Sequence, residues 1–204
     1  MSISEYNGAA VIAMAGKDCV AIGSDLRLGR QLSTLSVDFP KVHKIHDQLF
    51  IGLAGLATDS QTLANHFKFR HNLYKLREER DIRPSTFTQM VSSMLYEKRF
   101  GPYFVQPVIA GLEPDGTPHI SCMDSIGAIE VSKDFNVAGT MPEALLGMCE
   151  SMWKPNMDPE ELFEVVGQCL LTGVDRDALA GWGAVVHIIT KDSRVTKILK
   201  GRMD

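Results

Sequence analysis

The apolar positions of this chain fall into runs whose period changes twice. Residues 9–14 and 19–24 are short apolar runs joined by Ala15-Gly16-Lys17-Asp18, a hairpin signal with Gly in the turn. Residues 31–37 alternate weakly, 42–45 follow, and 49–53 form an apolar run bounded by Gly55. The first third is therefore expected to consist of strands.

The period then shifts to that of a helix. Thr58-Asp59-Ser60-Gln61 fits a capping box, in which the Thr hydroxyl and the Gln side chain each satisfy an orphan backbone N–H. Behind it Leu63, Phe67, Leu73, Tyr74 and Leu76 recur at helical spacing as far as Glu79. A second helix is expected to start at Thr86-Phe87-Thr88-Gln89, after Pro84. Its Phe87, Met90, Val91, Met94 and Leu95 make one apolar stripe. Strands return over 103–110, 118–123, 128–131 and 135–138, with Pro114-Asp115-Gly116 turning between the first two. A helix over 142–152 precedes the best-marked one. That one has Asp158 at the N-cap, Pro159 at the first helical position, Glu161 at N3, and Leu162, Val165, Val166, Cys169 and Leu170 on one face. A last hairpin, 184–190 and 194–200 around Lys191-Asp192-Ser193, closes the chain.

Hairpin-linked strands imply antiparallel sheets, each with an apolar face to cover. The element order predicts an α+β fold with antiparallel sheets. Two helix pairs outside two packed sheets would make it a four-layer αββα sandwich. Pro and Gly are scattered and no repeat or low-complexity tract occurs, so residues 1–204 read as a single domain.

Composition acts mainly by exclusion. With 204 residues, 45% hydrophobic, 23% charged and a net charge of −4, the chain resembles an ordinary globular domain. Its apolar runs, such as 183–189, fall far short of the ~20 residues of a membrane span, so no membrane partner is expected. Nor is a signal peptide. The slightly acidic balance argues against a nucleic-acid partner. The basic stretch Lys68, Arg70, His71, Lys75, Arg77, Arg80 is interrupted by Glu78, Glu79 and Asp81 and reads as a solvated helix face. Four separated cysteines without a CxxC pair read as reduced, mostly buried thiols. His43/His46 and His66/His71 come without HExxH or a Cys/His cluster, and no phosphate loop occurs. They read as surface or packing histidines, with no metal and no cofactor expected.

One constellation carries more. Ala180-Gly181-Trp182-Gly183, just after Asp175-Arg176-Asp177, sets two glycines around a Trp before a buried strand, which implies close backbone approach. Ser24-Asp25 ends one strand, Lys41 begins another and Gly52-Leu53-Ala54-Gly55 ends a third. Together with GLAGLATD (52–59), LYKLREER (73–80), LYEKRFGPYF (95–104) and the terminal Arg202-Met203-Asp204, these residues resemble the proteasome beta-type subunits, members of the N-terminal-nucleophile hydrolase superfamily. The resemblance covers nearly the whole chain and implies the four-layer αββα fold.

Active members of that family hydrolyse peptides with an N-terminal Thr freed by self-cleavage of a Gly–Thr bond. The Thr hydroxyl attacks, its own α-amino group serves as base, a buried Lys oriented by an Asp supplies positive charge, and a Gly N–H forms the oxyanion hole. The resemblance puts Asp25, Lys41, Gly55 and Asp177 at matching positions, with Lys41 16 residues after Asp25 in both patterns. The nucleophile does not match. Gly8-Ala9 stands where active members have Gly-Thr, and a methyl group cannot attack a carbonyl. Two supporting serines are also replaced, by Ala180 and, within a residue or two, by Pro142. What the resemblance implies is thus a vestigial frame, in which Asp25 and Lys41 persist as an ion pair holding two strands in register, and no enzyme. The alternative nucleophile Ser2, freed by removal of Met1, stands 23 residues before Asp25, so seven extra residues would have to loop back. Gly116-Thr117 and Gly139-Thr140 lie too deep in the chain to release a useful N-terminus.

By the same resemblance the partners are other alpha- and beta-type subunits in a 28-chain core particle, with regulatory caps acting indirectly. The process is ATP- and ubiquitin-dependent protein degradation in cytoplasm and nucleus. The loop 124–127 would face an adjacent active subunit, and Asp124 would lend negative charge to that neighbour's specificity pocket. The rival class is a stand-alone scaffold that kept the fold but left the particle.

Overall fold

A computed structural model describes residues 2–203. Met1, whose removal would free Ser2, and Asp204, which ends the terminal block, lie outside the described residues. The first hairpin forms as expected from β1 (Ala10–Ala15) and β2 (Cys19–Asp25), and every residue of both strands is buried. Alternate side chains of a strand point to opposite faces. Ile12, Met14 and Ala21 accordingly meet one apolar layer, and Val11, Ala13 and Ile22 meet another. A strand buried on both faces needs no polar alternation, which is why these two read as continuous apolar runs.

Among the described residues ten strands make two antiparallel sheets. In the first the order is β10 (Phe135–Gly139), β1, β2, β11 (Ala184–Thr190), β12 (Arg194–Leu199). In the second it is β5 (Val42–His46), β6 (Leu49–Gly55), β7 (Val105–Leu112), β8 (Pro118–Met123), β9 (Ile129–Ser132). Helices α3 (Pro142–Met152) and α4 (Pro159–Val174) cover the first sheet through Leu145, Leu162, Val166 and Leu170. Helices α1 (Ala57–Glu78) and α2 (Pro84–Tyr96) cover the second through Leu63, Phe67, Phe87 and Val91, with Phe67 and Phe87 edge to face at 5.9 Å. The result is the expected αββα sandwich. Small side chains let the two sheets approach closely: a Cβ on Gly52 would stand 2.5 Å from Val11 Cγ1. Among the described residues no helix is long and apolar enough to cross a membrane.

Four local expectations are corrected. Residues 31–37 are not one strand. The chain reverses within them, from β3 (Leu28–Arg30) to β4 (Ser33–Ser36), with Gln31 left-handed at φ 56°. The capping box at Thr58 does not form, because the helix starts at Ala57 and Leu56 gives it no side-chain cap. Two groups from elsewhere decide that start: Asn7 Oδ1 accepts the Ala57 N–H at 2.9 Å, and Asp59 turns outward to accept Phe104 N–H at 2.9 Å. The second helix starts at Pro84, two residues before Thr86, with Pro in the first turn where its missing N–H costs nothing. Leu76 lies off the apolar face and is 80% exposed, in the last turn before the left-handed cap Glu79.

The histidines serve packing. The rings of His46 and His71 stack at 5.3 Å, and His46 spans Ile82 O (2.9 Å) and the Gln48 N–H (3.2 Å), which fixes it as a neutral Nε2–H tautomer. Burial pushes the pKa values of His43, His46, His71, His119 and His187 below the usual 6.5. The unfolded chain therefore binds more protons than the folded one once the pH drops below about 6.5, and stability is lost across the window from there down to the folded values. The urea midpoint of unfolding is expected to be lower at about pH 5.5 than at about pH 7.5. A midpoint that rises on acidification would contradict this account.

Candidate functional site

The strands converge at one end of the sandwich. Antiparallel register sets Ser24 opposite Val11, Asp25 opposite Ala184 and Ala10 opposite Gly139. The end of β2, the start of β1, the end of β10 and the start of β11 thus share one rim of the first sheet. Lys41, just before β5, and Gly55, the last residue of β6, occupy the facing rim of the second.

Asp25 is the centre of this rim and is fully buried. Its Oδ1 accepts from Lys41 Nζ and from Ala10 N–H at 3.0 Å. Its Oδ2 accepts from Gly181 N–H at 3.0 Å and Arg27 N–H at 3.3 Å. Four donors from four segments therefore meet on one carboxylate. Lys41 is also buried, and its carbonyl accepts from Leu53 N–H at 2.9 Å at the mouth of the β5–β6 pair. Burial pushes the Lys41 amine below its usual pKa, the Asp25 contact opposes that, and the nearby Arg27 charge adds to it.

Arg27 was not singled out by any pattern in the sequence. Its side chain is 2% exposed and donates to Leu179 O (2.6 Å), Gln31 O (3.0 Å) and Thr34 Oγ1 (2.9 Å). It ties the β3–β4 hairpin to the loop that follows α4. In that loop Ala180 is buried, and Gly181, Trp182 and Gly183 all have positive φ (142°, 60° and 92°), the tight approach that the glycines around Trp182 imply.

Ala9, which the resemblance aligns with the nucleophile, is 2% exposed and is preceded by Gly8. The nitrogen there is an amide, which is no base, and the side chain is a methyl. The preceding segment lies alongside β3: Gly29 N–H donates to Asn7 O at 3.1 Å and Gln31 N–H to Tyr6 O at 2.8 Å. Asn7 Nδ2 donates to Gly29 O at 2.8 Å while Asn7 Oδ1 holds the start of α1. A Cβ on Gly8 would fall 1.9 Å from Leu179 O, so only Gly fits under that loop. The cavity lined by Ala9, Lys41, Gly55 and Ser60 is about 10 Å³, room for no more than one water. Gly55 has φ 121°, and Phe104 O would stand 2.2 Å from any Cβ there.

The structure brings a hydroxyl to this rim from the turn between β10 and α3. Pro142 lies in the first turn of α3, and two residues before it, within the margin of that alignment, Thr140 Oγ1 donates to Asp177 Oδ2 and reaches Ala9 O at 3.1 Å. Thr140 N–H also donates to Ala9 O at 2.8 Å, and Asp177 Oδ1 accepts from Leu179 N–H at 3.1 Å. Ser2 takes no part. Its side chain caps the turn Ile3–Glu5 and its N–H donates to Glu5. Asp124 sits on a separate exposed loop, where its Oδ1 accepts from Ile126 N–H (3.0 Å) and Ala128 N–H (2.8 Å). Ser92 Oγ donates to Gly127 O at 2.6 Å and pins that loop to α2.

Removing one partner of a buried ion pair strands the other charge. Lys41→Met is therefore expected to cost about 3–5 kcal/mol, read from the denaturant midpoint. Adding Asp25→Asn should recover part of it, because the amide oxygen can still accept and the stranded charge is gone. Strictly additive losses in this double-mutant cycle would contradict a direct pairing.

Comparisons with known proteins agree with this frame. The family model described as "Proteasome subunit" matches residues 5–189. The chain is 61% identical to "Proteasome subunit beta type-3" of Picea mariana, 56% to "Probable proteasome subunit beta type-3" of Schizosaccharomyces pombe and 48% to "Proteasome subunit beta type-3" of Caenorhabditis elegans, in each case over 100% of both chains. The fold, the rim that gathers Asp25, Lys41, Gly55 and Asp177, and full-length identity of this order place the chain in the proteasome subunit family, among its beta-type members.

Proposed function

We propose that this chain is a non-catalytic, structural beta subunit of the 20S proteasome core particle. The observation that carries the reading is the site itself. The buried Asp25–Lys41 pair is intact, but beside it Ala9 offers only a methyl group and an amide nitrogen. Acyl transfer needs a nucleophile with a lone pair and a base within reach, and Ala9 supplies neither. Thr140 carries a hydroxyl nearby, yet that hydroxyl donates to Asp177. The frame's remaining work is cohesion.

On this reading the chain completes a beta ring beside active subunits, within a particle of 28 chains that receives substrates through regulatory caps, in cytoplasm and nucleus. The full-length identity to subunits named as beta type-3 supports it. Native mass spectrometry of the protein from its own cell tests it. Co-migration with a particle of that size is expected, and the chain should stay unlabelled by a hydroxyl-directed covalent inhibitor while its neighbours react. A lone 22.5 kDa species, or label on this chain, would overturn the reading.

We further propose that Asp124 contributes charge to the specificity pocket of an adjacent active subunit. Asp124 Oδ1 accepts from two amides of its own loop, and Ser92 Oγ pins that loop through Gly127 O, so the carboxylate is held in place on an exposed surface. Asp124→Asn keeps the accepting oxygen and removes the charge. Cleavage after basic residues by the assembled particle is expected to fall several-fold, with cleavage after apolar residues unchanged. Unchanged cleavage after basic residues would refute the assignment.

A further inference from the structure

Helix α1 carries apolar residues on two opposite sides. Ser60, Leu63, Phe67 and His71 form its buried face over the second sheet. Phe69, Leu73 and Leu76 recur at i, i+4 and i+7, about half a turn round from Leu63 and Phe67, and so point away from that sheet. Phe69 is 64% exposed, Leu76 more so, and Leu73 is half-buried. A helix that only covered a sheet would be polar on this side.

Phe69 also lines a cavity of about 290 Å³ between α1 and the end of α2. Leu63, Met94 and Tyr103 complete its apolar part, and Arg70 and Lys98 supply cationic groups, with His66 and Glu97 beside them. The ion pairs of this layer are made elsewhere, Lys75 with Asp81 at 2.9 Å and Arg80 with Glu78 at 3.7 Å. Among the described residues none engages the side chain of Arg70, Lys98 or Glu97 in a hydrogen bond or ion pair. Just past Lys98, Arg99 lies over the rings of Tyr96 and Phe100, at 5.5 and 5.2 Å, and Phe100 is 95% exposed.

These features call for one kind of occupant. A small molecule filling the cavity would leave Leu76, Tyr96 and Phe100 in water, whereas a protein surface covers them together with it. Aromatic and Arg side chains around an apolar centre are also what protein contacts select. Covering Arg70 and Lys98 takes their water away, and one carboxylate, Glu97, does not balance two cations, so the covering surface has to bring another. We infer that the outer face of α1 and α2 is a docking surface for another subunit of the core particle, which seats an apolar side chain in the cavity and sets an adjacent carboxylate against Arg70 and Lys98. The inference rests on the proposed assembly and adds to it a place of contact and the chemistry of the partner.

The test replaces Phe69 with a photoreactive phenylalanine in the full-length chain, produced in its own cell, and maps cross-links in the isolated particle by mass spectrometry. Expected is a link from position 69 to another subunit, at a segment that carries Asp or Glu beside an apolar residue. In competition with the unaltered chain, Arg70→Glu with Lys98→Glu is expected to enter the particle several-fold less, and Arg70→Lys with Lys98→Arg equally. Lys in place of the linked carboxylate should restore entry of the charge-reversed variant, which a misfolded chain would not allow. No link to another subunit, a link to a segment without a carboxylate, or equal entry of the charge-reversed variant would overturn the docking surface. With the chain still found in the particle, the proposed assembly would stand. Absence of the chain from any particle would overturn both.

Discussion

The architecture turns on one carboxylate. Asp25 collects the Lys41 ammonium from the facing sheet, the Ala10 amide from the neighbouring strand, its own hairpin's Arg27 amide and the Gly181 amide from the loop after α4. A buried carboxylate is costly unless donors surround it, and each of these donors would be costly if left alone. Their mutual need fixes where two sheets and a loop meet. None of these contacts uses an atom of Ala9, so on the proposed reading the frame holds whatever side chain stands at position 9. Its parts hold one another in place whether or not a reaction passes through them.

Much of the fold was legible because its periods are clean. β1 and β2 are buried on both faces and read as unbroken apolar runs, while α4 carries an N-cap Asp158 that accepts from Glu160 and Glu161 amides as its sequence implies. The failures share a cause. The start of α1 is set by Asn7, 50 residues away, and by the Phe104 amide that engages Asp59, so no local capping signal could report it. The reversal at Gln31 depends on Arg27 reaching Gln31 O and Thr34 Oγ1 from inside the fold, a contact that weak alternation does not encode.

The site was legible to the same extent. Asp25, Lys41, Gly55 and Asp177 are placed by the resemblance to the proteasome beta-type subunits, and the first three stand at strand ends that gather at one rim. Thr140 is not. It follows Gly139, whose φ of 135° turns the chain out of β10, and that turn brings the Thr hydroxyl to Ala9 and Asp177. Residue type alone gives a threonine there no more meaning than elsewhere. Arg27 was equally silent, because its partners are two backbone carbonyls and a single Thr34 hydroxyl, which leave no signature in the sequence.

The residues before Ala9 have a consequence of their own. Asn7 closes the first turn of α1 and lies along β3, so the stretch that a self-cleaving relative would discard is, in this chain, a structural staple. The two fates exclude each other. Cutting the bond after Gly8 would release the group that caps a 22-residue helix. On the proposed reading, a chain with Thr at position 9, freed by cleavage after Gly8, would gain a nucleophile while losing a part of its own scaffold.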